Sequence, residues 1–215
     1  MRRIIIISFV IILTLIAFIY LLIKDNGIDS TVNITSANEI QRGIISTDFN
    51  QNKFIYGEEE NLLKEIGECD PMAETDRDPL RPACSPRFFR FFPLDNNATL
   101  KNGFILMVKA TVKGAETRKV KIYQREKGTL VLVNGFNGYL IERRIGKSKY
   151  DDLVIRFGNR IGNTLHHYNC VYKWNNGKYQ FDSCEDIDDR RVKKEFKDSM
   201  NLEIKTMLEQ EHYLF

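Results

Sequence analysis

Apolar positions follow three successive patterns along this chain. The first is continuous. Ile4 to Ile23 is a run of twenty residues broken only by Ser8, Thr14 and Tyr20, and at about 1.5 Å per helical residue it matches the roughly 30 Å hydrocarbon core of a bilayer. It ends Tyr20-Leu21-Leu22-Ile23-Lys24-Asp25, without the small-residue site that precedes signal cleavage. Arg2 and Arg3 stand before it. The pattern therefore predicts an uncleaved transmembrane signal anchor over residues 1–24, the N-terminus cytoplasmic and the rest of the chain periplasmic or extracellular.

The second pattern alternates. After a polar stretch over residues 25–52, read as a flexible stalk, and a short helix suggested by Leu62, Leu63 and Ile66 behind Glu58, Glu59 and Glu60, strand-like segments follow one another. They cover Phe104–Val112, Arg118–Glu126, Thr129–Val133, Tyr139–Ile145, Tyr150–Phe157, Thr164–Trp174 and Tyr179–Ser183. The residues between them, such as Lys127-Gly128, Asn134 to Gly138 and Asn175-Asn176-Gly177-Lys178, are turn formers. The third pattern has helical spacing: Val192, Phe196, Met200, Ile204 and Leu208 recur every fourth residue with Met207 beside them. This predicts an amphipathic helix somewhere in 185–215, with Asp186 and Asp188 suited to its cap. The fold class expected is α+β: an N-terminal transmembrane helix, then an exported domain over 53–215 built as a mainly antiparallel β-sheet with a C-terminal amphipathic helix.

Charge sharpens this picture mainly by exclusion. The net charge is +3, with 32 Lys and Arg against 29 Asp and Glu, and Arg2 and Arg3 supply two of those positive charges. The exported part is thus close to neutral and unsuited to nucleic-acid binding through phosphates. The four cysteines all fall on the exported side, as two close pairs. Disulfides Cys69–Cys84 and Cys170–Cys184 are the simplest connectivity in an oxidising compartment. Four of the five prolines lie between Cys69 and Pro86, so the first pair closes an irregular loop. For the second, two hairpin registers compete. A turn centred on Gly177 sets Cys170 opposite Cys184, whereas a turn pairing Trp174 with Tyr179 and Tyr172 with Phe181 groups four aromatics and turns the sulfurs apart unless a bulge restores them.

Tyr150-Asp151-Asp152-Leu153-Val154-Ile155 resembles the strand of FG-GAP-type repeats, and Tyr172-Lys173-Trp174-Asn175-Asn176-Gly177-Lys178-Tyr179 is similar to Tyr-x-Trp hairpins of exported bacterial β-domain proteins. The resemblance implies an exported β module. It does not extend to the family's calcium loop, because the residues before the first motif, Arg144 to Lys149, are basic. No cofactor motif or metal-ligand set is recognisable: His166 and His167 are neighbours on a strand and point to opposite faces, as do Asp151 and Asp152. Glu185, Asp186, Asp188 and Asp189 lack the glycine and ligand spacing of a calcium loop.

Two surfaces stand out. Phe88, Phe89, Arg90, Phe91 and Phe92 combine aromatics with arginine, the residue types enriched where partners dock. If this segment is an edge strand, one of its faces should be exposed. Lys119, Lys121 and Arg125 share one strand face and form a candidate anion-binding surface for an anionic envelope polymer. The expected function is a membrane-anchored binding or interaction module of the cell envelope, with residues 4–23 contacting the membrane and an envelope protein or polymer as partner. The competing expectation is a carboxylate-dependent envelope hydrolase.

Overall fold

The computed structural model describes residues 42–49, 51–72, 82–95, 99–112, 115–210 and 213–215. The anchor segment and most of the expected stalk lie outside these residues, and among the described residues no helix is long and apolar enough to cross a membrane.

Among the described residues, ten strands form two antiparallel sheets, each largely a meander. The smaller takes β2 (Phe89–Pro93), β3 (Gly103–Val112), β4 (Ala115–Glu126) and β5 (Thr129–Phe136) in chain order. The larger runs β1 (Gly43–Ile44), β6 (Tyr139–Arg144), β7 (Asp152–Ile161), β8 (Thr164–Asn175), β9 (Lys178–Ile187) and β10 (Arg190–Arg191), with β1 added at its edge beside β6. The chain passes from one sheet to the other through Asn137-Gly138. Gly138 is needed there for space: a Cβ would fall 2.6 Å from the Arg156 carbonyl oxygen. Among the described residues two helices accompany the sheets, α1 (Glu59–Ile66) and α2 (Lys197–Gln210).

Alternation along the strands sorts side chains into two cores. Ile105, Met107, Val120 and Ile122 of the small sheet meet Leu153, Ile155, Phe157, Cys170 and Tyr172 of the large one, and Ile204 and Leu208 of α2 join them. The opposite face of the small sheet, with Phe89, Phe91, Phe104, Leu106 and Tyr123, packs against Leu62 and Leu63 of α1 and against Cys69. α1 ends where Gly67 takes a left-handed φ of 67° and the Glu68 amide donates to the Leu63 carbonyl at 3.0 Å. Its first residue, Glu59, accepts the Ile55 and Tyr56 amides, both at 2.7 Å, which ties the preceding turn to the helix.

The α+β class and the C-terminal helix agree with the sequence reading, but three boundaries move. Residues 42–49 are not stalk. Ile45 and Phe49 are buried in the main core, and the Ile45 amide bonds to the Ile141 carbonyl at 2.8 Å, so the folded unit begins upstream of residue 53. The expected turn over Asn134 to Gly138 shrinks to Asn137-Gly138, because Asn134 clamps the two sheets together. Its amide donates to the Tyr179 carbonyl at 3.1 Å and its carbonyl accepts the Tyr179 amide at 2.7 Å. The C-terminal helix begins only after a 3-10 turn at Lys194–Phe196. Asp186 lies in β9 and Asp188 in the turn that follows, where it accepts the His167 amide at 3.0 Å. Phe196 is accordingly left 54% exposed.

The final hairpin satisfies both registers. Trp174 pairs with Tyr179 and Tyr172 with Phe181 around a two-residue turn, Asn176-Gly177, with φ of 49° and 84°. A bulge between Val171 and Tyr172 then shifts β9, so that Cys170 stands opposite Cys184.

Candidate functional site

The aromatic segment is not a docking surface. Phe88, Phe89, Phe91 and Phe92 are all buried, and so is Arg90 at 7% exposed. β2 is indeed an edge strand, yet both its faces are covered, Phe89 and Phe91 by the second core and Phe92 by the first. Arg90 lies over the Phe92 ring at 5.2 Å and donates to the backbone carbonyls of Ser46 and Asp48. It thus acts as a clamp on residues 46–48.

The basic face does not stand free either. Lys121 pairs with Glu68, which also accepts the Tyr123 hydroxyl at 2.8 Å. Arg125 holds Glu65 through both terminal nitrogens, at 3.0 and 3.2 Å, and donates to the Gly128 carbonyl. Lys119 rests over the Phe215 ring at 5.6 Å. The carboxylates come from α1 and its C-terminal end, and they neutralise the proposed anion site.

The cysteines divide. Cys69 and Cys84 are disulfide-bonded. Cys170 and Cys184, expected as the second bridge, are free and buried. Their side chains are hydrogen-bonded to each other and Cys184 Sγ donates to the Asp186 carbonyl at 3.3 Å. That mutual bond, with burial, raises the Cys170 pKa, and the same bond lowers that of Cys184. The acidic set over 185–189 is dispersed among other partners: Glu185 to Arg144, Asp188 to His166, Asp189 to Arg156. Among the described residues no group of three His, Cys, Asp or Glu is placed to hold a metal.

A candidate site lies where the β6–β7 loop meets the β8–β9 hairpin. This cleft, of about 670 Å³, is lined by Gly146, Lys147, Asp152, Lys173, Trp174 and Gln180, among others. Alternation explains the polar lining. Leu153, Tyr172 and Phe181 point to the core, so their neighbours Asp152, Lys173, Gln180 and Asp182 point out. Trp174, partly exposed, is held by edge contacts with Tyr150 at 4.7 Å and Tyr179 at 5.2 Å. Ser148 donates to the Tyr150 carbonyl at 2.7 Å and fixes the loop. Beneath it, Tyr179 donates to the Asp151 carbonyl at 2.9 Å, and the Asp151 carboxylate binds Arg42 at 3.0 Å and Arg143 at 3.1 Å.

Lys173 bonds Asp182 at 3.0 Å, which raises its pKa. Asp152 differs. One of its oxygens, Oδ1, is buried without a partner, beneath Gly146, where a Cβ would come within 2.4 Å of it. Burial raises the Asp152 pKa, opposed by Lys173 and reinforced by Asp182. The cleft thus carries two carboxylates, two lysines, planar amides and an immobilised indole. Sequence reasoning treated Trp174 as a packing residue and considered Asp152 only beside Asp151. The usable signal was the shared parity of Lys173 and Asp182 across the hairpin. No family model, curated protein or solved structure matches the chain.

Proposed function

We propose that the chain is a membrane-anchored binding module of the cell envelope whose ligand site is the Trp174 cleft, and that its ligand is a neutral, polyhydroxylated chain such as an envelope glycan. The observation that carries this reading is the lining. Lys147 and Lys173 balance Asp152 and Asp182, so an anionic polymer gains nothing there. The polar perimeter is unsuited to an apolar peptide. A rigid aromatic beside planar amides and carboxylates offers a stacking edge and paired hydrogen bonds to successive hydroxyls. The resemblance to exported bacterial β modules and the apolar run at residues 4–23 support the envelope setting.

Full-length protein in mild detergent should be retained on insoluble cell-wall glycan, and Trp174→Ala should weaken retention at least about tenfold, in line with loss of a central aromatic anchor. Equal retention of both proteins, or retention only on a polyanion, would reject the reading. One observation favours the hydrolase alternative, namely a carboxyl of raised pKa, Asp152, in one cleft with Asp182. Release of reducing ends that stops in Asp152→Asn would establish it.

A further inference from the structure

Between the end of β9 and α2 runs Arg190-Arg191-Val192-Lys193-Lys194-Glu195-Phe196-Lys197, five cations with one acid. Arg190, Arg191, Lys193 and Lys194 are exposed, and among the described residues none of the four is paired with a carboxylate. The acids that precede them are engaged elsewhere. Asp188 and Asp189 make the turn between β9 and β10 with left-handed φ of 52° and 59°, and their carboxylates bind His166 and Arg156. Glu185 holds Arg144 at 2.8 Å. By contrast, Lys121, Arg125 and Lys173 are each matched by an acid.

Phe196 stands within this charge. It is 54% exposed and belongs to neither core, whereas Met200, Ile204 and Leu208 of α2 pack inward. A 3-10 turn over Lys194–Phe196 sets residues three apart over one another, so Lys194 and Lys197 share a side. The Phe196 amide donates to the Lys193 carbonyl at 3.1 Å, which folds Phe196 back beside that lysine. A soluble polyanion would engage the cations and leave the ring in water. An anionic bilayer engages both: phosphates meet the cations, the acyl boundary takes the ring, and the Lys and Arg stems lie along the interface.

We infer that Arg190 to Lys197 is a membrane-docking patch whose partner is a bilayer surface rich in anionic phospholipid, with Phe196 entering the boundary between headgroups and acyl chains. This contact is separate from the Trp174 cleft. It rests on the anchor of the proposed function only for a bilayer nearby, so the test reads the two apart.

Full-length protein carrying Phe196→Trp is reconstituted in nanodiscs of brominated phosphatidylcholine, with or without phosphatidylglycerol; the unaltered chain, whose single indole is Trp174, gives the background. If the chain stays out of phosphatidylcholine discs, the anchor fails and the patch is read on protein added to vesicles of the same lipids. Added quenching should appear only with phosphatidylglycerol and vanish at high salt. Arg190→Gln, Arg191→Gln, Lys193→Gln and Lys194→Gln together should weaken docking at least about tenfold, with thermal stability and glycan retention unchanged. Quenching that is equal without phosphatidylglycerol, that survives the four changes, or that is matched by Met72→Trp, at an exposed position after Cys69, overturns the inference. So does binding of soluble polyphosphate without added quenching on the anionic discs, the behaviour of a polyanion site.

Discussion

The second face of the small sheet and the second face of the large one solve the same problem in opposite ways. In the small sheet, Phe89, Phe91, Phe104 and Leu106 alternate with residues of the main core, so both faces are apolar and α1 must cover the outer one. In the large sheet the corresponding positions on β7 and β8 carry Asp152, Arg156, Asn169 and Lys173, and the last three are joined with their neighbours in ion pairs and hydrogen bonds. Val154 and Val171 sit buried among them. An apolar face commits the chain to a cover held in place; here the Cys69–Cys84 bridge lies directly after α1. A polar lattice needs no cover and leaves room for a cleft. That is why the candidate ligand site lies on the large sheet although the small sheet holds the most conspicuous sequence.

The sharpest way to break this comparison is truncation on the doubly buried sheet. Phe89→Ala and Phe92→Ala, one from each face, should each cost about 3–5 kcal/mol in urea unfolding, whichever core the ring serves. Asp151→Asn should cost a similar ~3–5 kcal/mol, because it leaves the buried Arg143 charge unpaired. Next, Cys69→Ser should remove about 3 kcal/mol, as expected for a loop of this length. Mild reduction should lower the wild-type midpoint by the same amount and leave the midpoint of Cys69→Ser unchanged, since Cys170 and Cys184 are already thiols. On the outer face of the large sheet, Lys173→Ala breaks only an exposed pair and should stay within about 1 kcal/mol.

The smallest effect is in pH dependence, and its sign separates two carboxylates on that face. The Arg144 hydrogen bond holds the Glu142 pKa below its usual value. Its contribution is complete above the unfolded-state pKa and disappears as pH falls through the folded one. Asp152 is raised by burial, so stability falls as pH rises from its unfolded pKa through its folded one. Glu142→Gln should flatten the acid limb of a stability–pH curve, whereas Asp152→Asn should lift the neutral end.

What was legible locally was what alternation and turn chemistry encode: the succession of strands, α1, and the Asn176-Gly177 hairpin. The bulge that reconciles its two registers was legible as an option but not as a choice, because it depends on how β9 meets α2, where Asn201 accepts the Cys184 amide at 2.9 Å. The Phe88–Phe92 segment was misjudged for a different reason. Period two shows that a strand has two faces but not that a helix some thirty residues earlier covers the second. Lys121 and Arg125 likewise find Glu68 and Glu65 more than fifty residues away, beyond any local pattern. The Trp174 cleft required three elements at once, and only the parity of its residues was written in the sequence.

The strand at the far side of the small sheet has a consequence for crowding. β5 presents a row of backbone groups, and Tyr213 to Phe215 cover its C-terminal end: the Asn137 amide bonds to the Tyr213 carbonyl at 2.8 Å and the Phe215 amide to the Gly135 carbonyl at 3.0 Å. The other three edges are short, two residues each in β1 and β10 and five in β2, which ends in Pro93. Short or occupied edges deny a neighbouring copy a template for strand addition. In the proposed membrane-anchored setting, copies would meet in two dimensions at high local density, and the short edges together with the covered end of β5 limit strand addition between them.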